Sequence, residues 1–528
     1  MNRKVLLIVF LLLVFIFSAI TFTGAIYFEI NSVMAGDRNL EYEVRVIRLE
    51  GGDWGYPSPY AHYPRGPGGY KMCLLFDSLL ERAEDGLIPW LAEDYQIKNN
   101  GKEYLFSIRD DVKWHDGQAL TVEDVKFTFD YAVEHPMVWS YITGDDIEKV
   151  ELRGRNQVLI TVKEPNAAFL YNLGRTRIIP KHIWQGIENP KEFTAEEAVF
   201  GSGPYRLTDY NKEHGTYRLE VFEDFWGPKQ RVKAIEFVPV SESILAFEKG
   251  QIDLTDLSPD LLGRYQHNDE YKVVQKPAFW GYRLLFNMAD YPVLSDKRVR
   301  QAINYALDKN DLIAKIERGA GVAGSAGVLP PDHVFYNNAV RQYTYKPEKA
   351  KELLHDAGCD KLTLNLKVSD RTVRLAELIR EQLARVGIEI KIISSDRKTH
   401  DSRVKDMEYE LAILGHGGWG GEADYLVDRF LSGGLSKGGL SPDTSGLKGY
   451  NNPELNSLLL KQKYEFNNER RKELFFTIQD LLAEDLPEIP LYYTSAYTVY
   501  RPDKYDGWMF MYDHHNLTHS KLSYLERE

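Results

Sequence analysis

The sequence predicts a globular protein of two or three domains that mixes strands and helices, on three observations. A chain of 528 residues is too long for a single hydrophobic core. At 43% apolar and 12% aromatic, with no periodic repeat, it is globular rather than disordered. Strand-like segments, such as 45–49 and 234–240, share the chain with helical patterns such as 296–308, where Val299, Ala302, Ile303 and Ala306 fall on one face. A net charge of −13 argues against nucleic-acid binding and against a polybasic membrane contact, and does not identify a ligand. The two cysteines, Cys73 and Cys359, fit no metal or redox spacing and are not expected to pair. Cys73 lies in an apolar run and reads as a buried thiol; Cys359 follows Gly358 at a helix end.

Asn2, Arg3 and Lys4 precede an apolar run over residues 5–27. A cleaved signal has an apolar core of roughly 7–15 residues and a spanning helix needs about 20, so the run reaches the longer class. Its basic flank would stay in the cytoplasm. Thr23-Gly24-Ala25 and Val33-Met34-Ala35 each also read as a small-residue cleavage site, and no cysteine follows to carry a lipoprotein anchor. The remainder is expected at the cell surface or in the periplasm, tethered by this segment or secreted by its cleavage.

Residues 105–130 carry the densest pattern. Residues 105–114 have the composition of a short hairpin with an acidic turn, and Asp116-Gly117 supplies the next turn. Thr121 with Asp124 reads as a helix cap, ahead of an apolar face at Val122, Val125, Phe129 and Ala132. The helix is expected to stop by His135, because Pro136 disfavours helical dihedrals there. Taken alone, this is a hairpin, a turn and a capped helix with no chemistry.

The order of these residues is more specific. Arg109-Asp110-Asp111-Val112-Lys113-Trp114-His115-Asp116-Gly117, followed by Thr121-Val122-Glu123-Asp124-Val125, resembles a signature of the family-5 extracellular solute-binding proteins, receptors of ABC importers for peptides and nickel chelates. Further similar landmarks follow in order: Pro89-Trp90-Leu91-Ala92, Ile179-Pro180-Lys181-His182, Gly201-Ser202-Gly203-Pro204-Tyr205, the run 296–308, and Asp485-Leu486-Pro487-Glu488-Ile489-Pro490. The resemblance implies the α/β class, and within it a two-lobed periplasmic-binding-protein-like fold of type II with an additional inserted domain. It divides the chain into a signal or anchor segment (1–36), domain I (37–69, 200–275 and 501–528), an inserted domain II (70–199) and domain III (276–500). Strand-like segments near 279–287 and 491–499 suit the two crossovers between lobes. The implied function is a non-catalytic receptor that encloses a small solute, with a peptide as leading ligand, and delivers it to ABC permease subunits. A nickel chelate is the alternative within the family, and an extracellular hydrolase the alternative from another class. A monomer with no cofactor is expected.

Two enzyme-like motifs lack the context their chemistry needs. Gly434-Leu435-Ser436-Lys437-Gly438 satisfies G-x-S-x-G, but its glycine-rich flanks read as loop rather than strand and helix. Gly319-Ala320-Gly321-Val322-Ala323-Gly324 satisfies G-x-G-x-x-G, but follows a helix instead of a strand. His515 and His519 would share one face of a helix and, with His416, are the weak metal candidates. Asn516-Leu517-Thr518 also forms a glycosylation sequon.

The ligand site is expected at two places. The aromatic, glycine-rich loop 51–69 offers Trp54 and Tyr56. In peptide receptors of the family an aspartate shortly after a Gly-Trp holds the peptide's α-ammonium, and this chain has Gly418-Trp419-Gly420-Gly421-Glu422-Ala423-Asp424 after the apolar strand 411–414. Glu422 occupies the spacing of that aspartate, Asp424 lies two residues further on as its substitute, and the customary Asp-Pro is absent. Glycines admit a ligand backbone, Trp419 offers an aromatic wall, and a carboxylate accepts charge-assisted bonds. Arg371, in a loop before a helix, is the candidate partner for a ligand carboxylate.

Overall fold

The motifs singled out in the sequence meet in space. Asp124 accepts the Thr121 N–H on Oδ2 at 2.9 Å, closing a capping box on helix Val122–Glu134, which ends at His135 before Pro136. Its other oxygen accepts from Lys181 N at 2.9 Å, so one carboxylate also fastens the start of helix Lys181–Trp184. His182 reaches Asp116 at 2.7 Å. His115 accepts the Gly201 N–H on Nδ1 at 3.2 Å, which makes Nε2 the protonated nitrogen, and Nε2 donates to Gly203 O at 2.9 Å. Burial holds the His115 pKa down at about 4 and keeps the ring neutral. The signature is a structural knot.

The computed structural model describes residues 43–62, 66–84, 86–138, 142, 144, 146–417, 421–432, 447, 449–511 and 516–525. The expected anchor segment, Gly418, Trp419, Ser436 and His515 lie outside the described residues. Among the described residues no helix is long and apolar enough to cross a membrane.

The N-terminal lobe holds two four-stranded sheets. In one, Val44–Glu50 runs parallel to Val232–Val238, which continues antiparallel into Thr216–Val221 and Tyr205–Asn211. The other is ordered Ala92–Lys98, Glu103–Ile108, Gln157–Val162, Ile147–Arg153, and helix Val122–Glu134 packs its Val125 and Phe129 into the same core as Phe106 and Ile160. Residues 105–114 therefore do not form the expected hairpin. Glu103–Ile108 takes its partners from Ala92–Lys98 and Gln157–Val162, and the acidic residues fall in the loop that follows. The apolar run around Cys73 is helical only over Gly66–Leu75, and Leu80–Ala83 is a strand. Tertiary demand overrides propensity there. Asp77 leaves the helix to accept from Trp90 Nε1 at 2.8 Å and Lys521 Nζ at 2.7 Å, and Ser78 donates to Glu81 at 2.8 Å.

The C-terminal lobe is built on a six-stranded sheet ordered Gly321–Ala323, Glu488–Thr494, Trp280–Phe286, Leu411–Gly417, Leu362–Ser369, Ile388–Ser395. Helices Lys297–Ala306 and Val373–Ala384 bury their apolar faces in its main core. Gly321–Ala323 is an edge strand entered from helix Lys309–Ile316, not a strand-loop-helix turn. Residues 276–279 and 495–496 join this sheet to a three-stranded one ordered Leu254–Leu257, Tyr497–Tyr500, Lys272–Gln275. The two crossings are stitched together. Lys276 N donates to Ala496 O at 2.8 Å, and Ser495 Oγ donates to Lys276 O at 2.9 Å.

Candidate functional site

The Leu411–Gly417 and Ile388–Ser395 strands both run parallel to Leu362–Ser369, so their carboxyl ends share one edge of the sheet. A crevice outside such an edge is where open α/β sheets take ligands. Arg371 sits there in the turn Asp370–Thr372, exposed, with its backbone N–H on Asp370 Oδ1 at 2.9 Å. Burial pushes the Tyr282 phenol up to about 12, with Glu317 adding to the rise and Arg397 and Arg371 opposing it.

Trp280 completes the edge and was not singled out in the sequence. It pairs with Gly417 across the strands, and its indole lies over Gly415 and Gly417. A Cβ on Gly417 would come within 2.7 Å of Trp280 Cδ1, and one on Gly415 within 2.9 Å of its Cζ2. The two glycines, spaced two apart on one face of a strand, were the available signal.

The acid loop continues from this edge. Glu422, its side chain 18% exposed, accepts on Oε1 from Arg471 Nη2 at 2.8 Å and from Ala423 N at 2.9 Å. Oε2 accepts from no described residue. Arg471 is held by Gln462, which accepts its Nε–H at 3.0 Å, and lies over the Phe335 and Phe475 rings. Gln462 donates to Asp424 Oδ1 at 2.7 Å, and Asn166 of the other lobe donates to Asp424 Oδ2 at 3.1 Å. Asp424 thus spends both oxygens on amides, whereas Glu422 has one oxygen with no donor among the described residues. His333 accepts the Phe335 N–H on Nδ1 at 3.0 Å and donates from Nε2 to Gly421 O at 3.2 Å, fixing the backbone beside Glu422. Burial, with Arg471 and Arg82 nearby, holds its pKa down at about 4.

Beneath the loop, Glu488 is buried between Arg283 at 3.2 Å and Arg429 at 2.9 Å. This triad ties both central strands of the crossover to helix Tyr425–Phe430, which follows the acid loop. His416 is buried on the Leu411–Gly417 strand, with its ring 5.6 Å from that of Tyr425.

The remaining candidates lie in the N-terminal lobe. Tyr56 donates to Ala195 O at 3.2 Å and meets Tyr210 edge-on at 5.6 Å. The Trp54 N–H donates to Tyr217 Oη at 2.9 Å, pinning the loop to its own sheet. His519 lies buried on strand Leu517–His519, not on a helix. Tyr205 donates its proton to Val232 O and so accepts from Nε2 at 3.0 Å, while Tyr505 donates to Nδ1. Burial holds the His519 pKa down at about 3. Both ring nitrogens are engaged by phenols. No group of three or more His, Cys, Asp or Glu among the described residues is arranged to hold a metal ion.

Two lobes joined by stitched strands are the architecture of the periplasmic-binding-protein class of solute-binding proteins. The family model described as bacterial extracellular solute-binding proteins, family 5, matches residues 86–438, more than half of the chain, and the chain belongs to that family. It is 26% identical over 452 residues to the dipeptide-binding protein of Escherichia coli K12, covering 79% of this chain and 83% of that protein. A periplasmic binding protein of Helicobacter pylori, solved with the peptide STSA, shares the fold at a TM-score of 0.72 and 22% identity, over 87% of this chain and 94% of that one. NikZ of Campylobacter jejuni, solved with Ni(L-His), matches at a TM-score of 0.72 and 24% identity, over 88% and 94%.

Proposed function

We propose that this solute-binding protein is the extracytoplasmic receptor of an ABC importer and that its cargo is a short peptide. The carrying observation is the half-occupied carboxylate of Glu422, whose Oε1 is fixed by Arg471 and Ala423 while Oε2 remains for a donor from the crevice. A peptide's α-ammonium is such a donor, and Arg371 stands ready for its carboxylate. Trp280 walls the space between. Trp54 and Tyr56 belong to the facing lobe. Closure shifts an existing open–closed equilibrium about the stitched crossings at 276–279 and 495–496. Residues 1–36 carry the receptor out of the cytoplasm as anchor or signal. The domain division read from the sequence, with 70–199 as an insertion, suits this mechanism.

Binding proceeds without turnover. A mixed pool of short peptides should raise the melting temperature with ligand concentration by mass action, and the peptides should be recovered intact. Hydrolysed peptides, with hydrolysis abolished by Ser436→Ala, would replace the receptor with a hydrolase.

A further inference from the structure

Glu317 is the C-cap residue of helix Lys309–Ile316, and it is half-buried. Its Oε1 accepts the Tyr492 hydroxyl at 2.9 Å, and its carboxylate meets no lysine, arginine or histidine among the described residues. Glu81, Glu422 and Glu488, by contrast, each meet at least one guanidinium. A charge drawn out of water is costly unless it is paired. The carboxyl end of a helix adds to that cost, because the macrodipole is negative there. Burial accordingly pushes the Glu317 pKa up, against the pull of the Tyr492 hydrogen bond. Nothing in the described fold offsets either cost.

The acid stands where the lobes meet. Arg318, the next residue, forms an ion pair with Asp260 of the other lobe. Ser495 N, in the second crossing, donates to Ala320 O at 3.1 Å, and Ala320 N donates to Glu317 O at 2.9 Å. One short turn thus ties Glu317 to the crossing. Strand Glu488–Thr494 leads into the same place, with Tyr492 paired to Tyr282 and Thr494 to Trp280. Tyr282 and Trp280 pair on their other side with Gly415 and Gly417, the glycines of the crevice edge. Residues two apart on a strand share a face, so the three aromatic side chains stand together. The Trp280 and Tyr282 rings lie 4.7 Å apart at 79°, and Tyr282 and Tyr492 lie 5.6 Å apart at 67°. Tyr492 is buried and holds the acid, whereas Tyr282 and Trp280 are half-exposed. Ring faces carry negative potential and attract cations within about 6 Å.

We propose that Glu317, with the Tyr282 and Trp280 rings, forms a subsite beside the crossings that takes the cationic end of a lysine or arginine side chain. The inference rests on the receptor reading and deepens it: the cargo is a peptide with a basic residue. Glu422 keeps the α-ammonium and Arg371 the α-carboxylate, so each charged group of the ligand has its own partner.

Calorimetric titration of the full-length protein with Ala-Lys-Ala, its side-chain Nε-acetyl form, Ala-Arg-Ala and Ala-Gln-Ala decides it, since all four share the same termini. Wild type should bind at least one basic peptide roughly tenfold or more tighter than its neutral counterpart, the scale of a lost charge partner. Glu317→Gln keeps an acceptor for the Tyr492 hydroxyl, and it should abolish that preference while leaving affinity for the neutral peptides unchanged. Tyr282→Leu should reduce the preference and Tyr282→Phe, which retains the ring, should keep it. The ligand-free melting temperature of Glu317→Gln should equal or exceed that of wild type, because an unanswered charge is removed. A preference that survives Glu317→Gln, no preference in wild type, or loss of folding in Glu317→Gln overturns the subsite. If no peptide binds, the peptide reading fails separately. Binding of 1,5-diaminopentane that Glu317→Gln removes then still upholds the subsite, and diamine that binds both forms equally, or neither, overturns it.

Discussion

Asn166 in the N-terminal lobe donates from Nδ2 to Asp424 Oδ2 in the C-terminal lobe at 3.1 Å, and the adjacent Ala167 N–H donates to Lys463 O at 2.7 Å. These bonds, with the Phe466 ring packed on Gly101 and the Arg318–Asp260 ion pair, hold the lobes in contact. Both Asp424 oxygens are therefore committed to amides, one of them across the lobes. Asn166→Ala removes one hydrogen bond worth about 0.5–1.5 kcal/mol. The closed fraction of the ligand-free protein should fall by roughly two- to tenfold. Small-angle scattering should show a larger radius for the variant, converging with wild type at saturating peptide. Identical ligand-free profiles would remove Asn166–Asp424 from the closing mechanism.

The second prediction concerns the buried triad. Glu488→Gln leaves Arg283 and Arg429 without their shared carboxylate in the core, which should cost about 3–5 kcal/mol in urea unfolding. A loss under about 1 kcal/mol would mean that the two guanidiniums find other acceptors.

The third is a pH dependence. Burial holds His115 and His333 at about 4 and His519 at about 3, below the ordinary histidine value of 6.5. The unfolded chain binds protons at these sites as pH falls below that value, and the folded chain does not. Stability should decline from pH 6 to 4 by up to about 1.4 kcal/mol per histidine per pH unit. Burial raises the Glu81 pKa but Arg177 and Lys521 lower it more, to about 2, so its contribution is lost only below the ordinary value of 4.5. Urea melts across this range should show a shallower slope for His519→Gln. An unchanged slope would mean that His519 takes up its proton in the folded protein.

The fourth concerns Trp280. Gly417→Ala pushes a methyl group against its indole, and loss of that aromatic contact should weaken peptide binding by roughly two- to tenfold at unchanged stability. Full affinity in both Gly417→Ala and Trp280→Ala would take the ring out of the site.

Local features were legible in the sequence because their causes are local. The Thr121 cap, the stop before Pro136 and the face of Val299, Ala302 and Ile303 depend on neighbours within a turn or two. The pairing of Glu103–Ile108 was not, since its partners come from distant segments. The site divides the same way. Glu422 stood out through a resemblance in a short motif and Arg371 through its place in a loop before a helix, whereas Arg471 meets Glu422 from 49 residues away, with no pattern to announce it. Tyr492 reaches Glu317 from 175 positions along the chain. Trp280 could be found only by pairing its strand with the glycines of another.

Free-amine recognition by Glu422 is the most direct test. Titrating wild type and Glu422→Gln with Ala-Arg-Ala and its N-acetyl form should show wild type favouring the free amine. The variant should lose most of that preference, a change of about 2–5 kcal/mol for the free amine and little for the acetylated form. Equal affinity of wild type, Glu422→Gln and Asp424→Asn for the free amine would contradict the assignment. Stoichiometric nickel uptake lost in His416→Ala would point to the chelate-binding alternative instead.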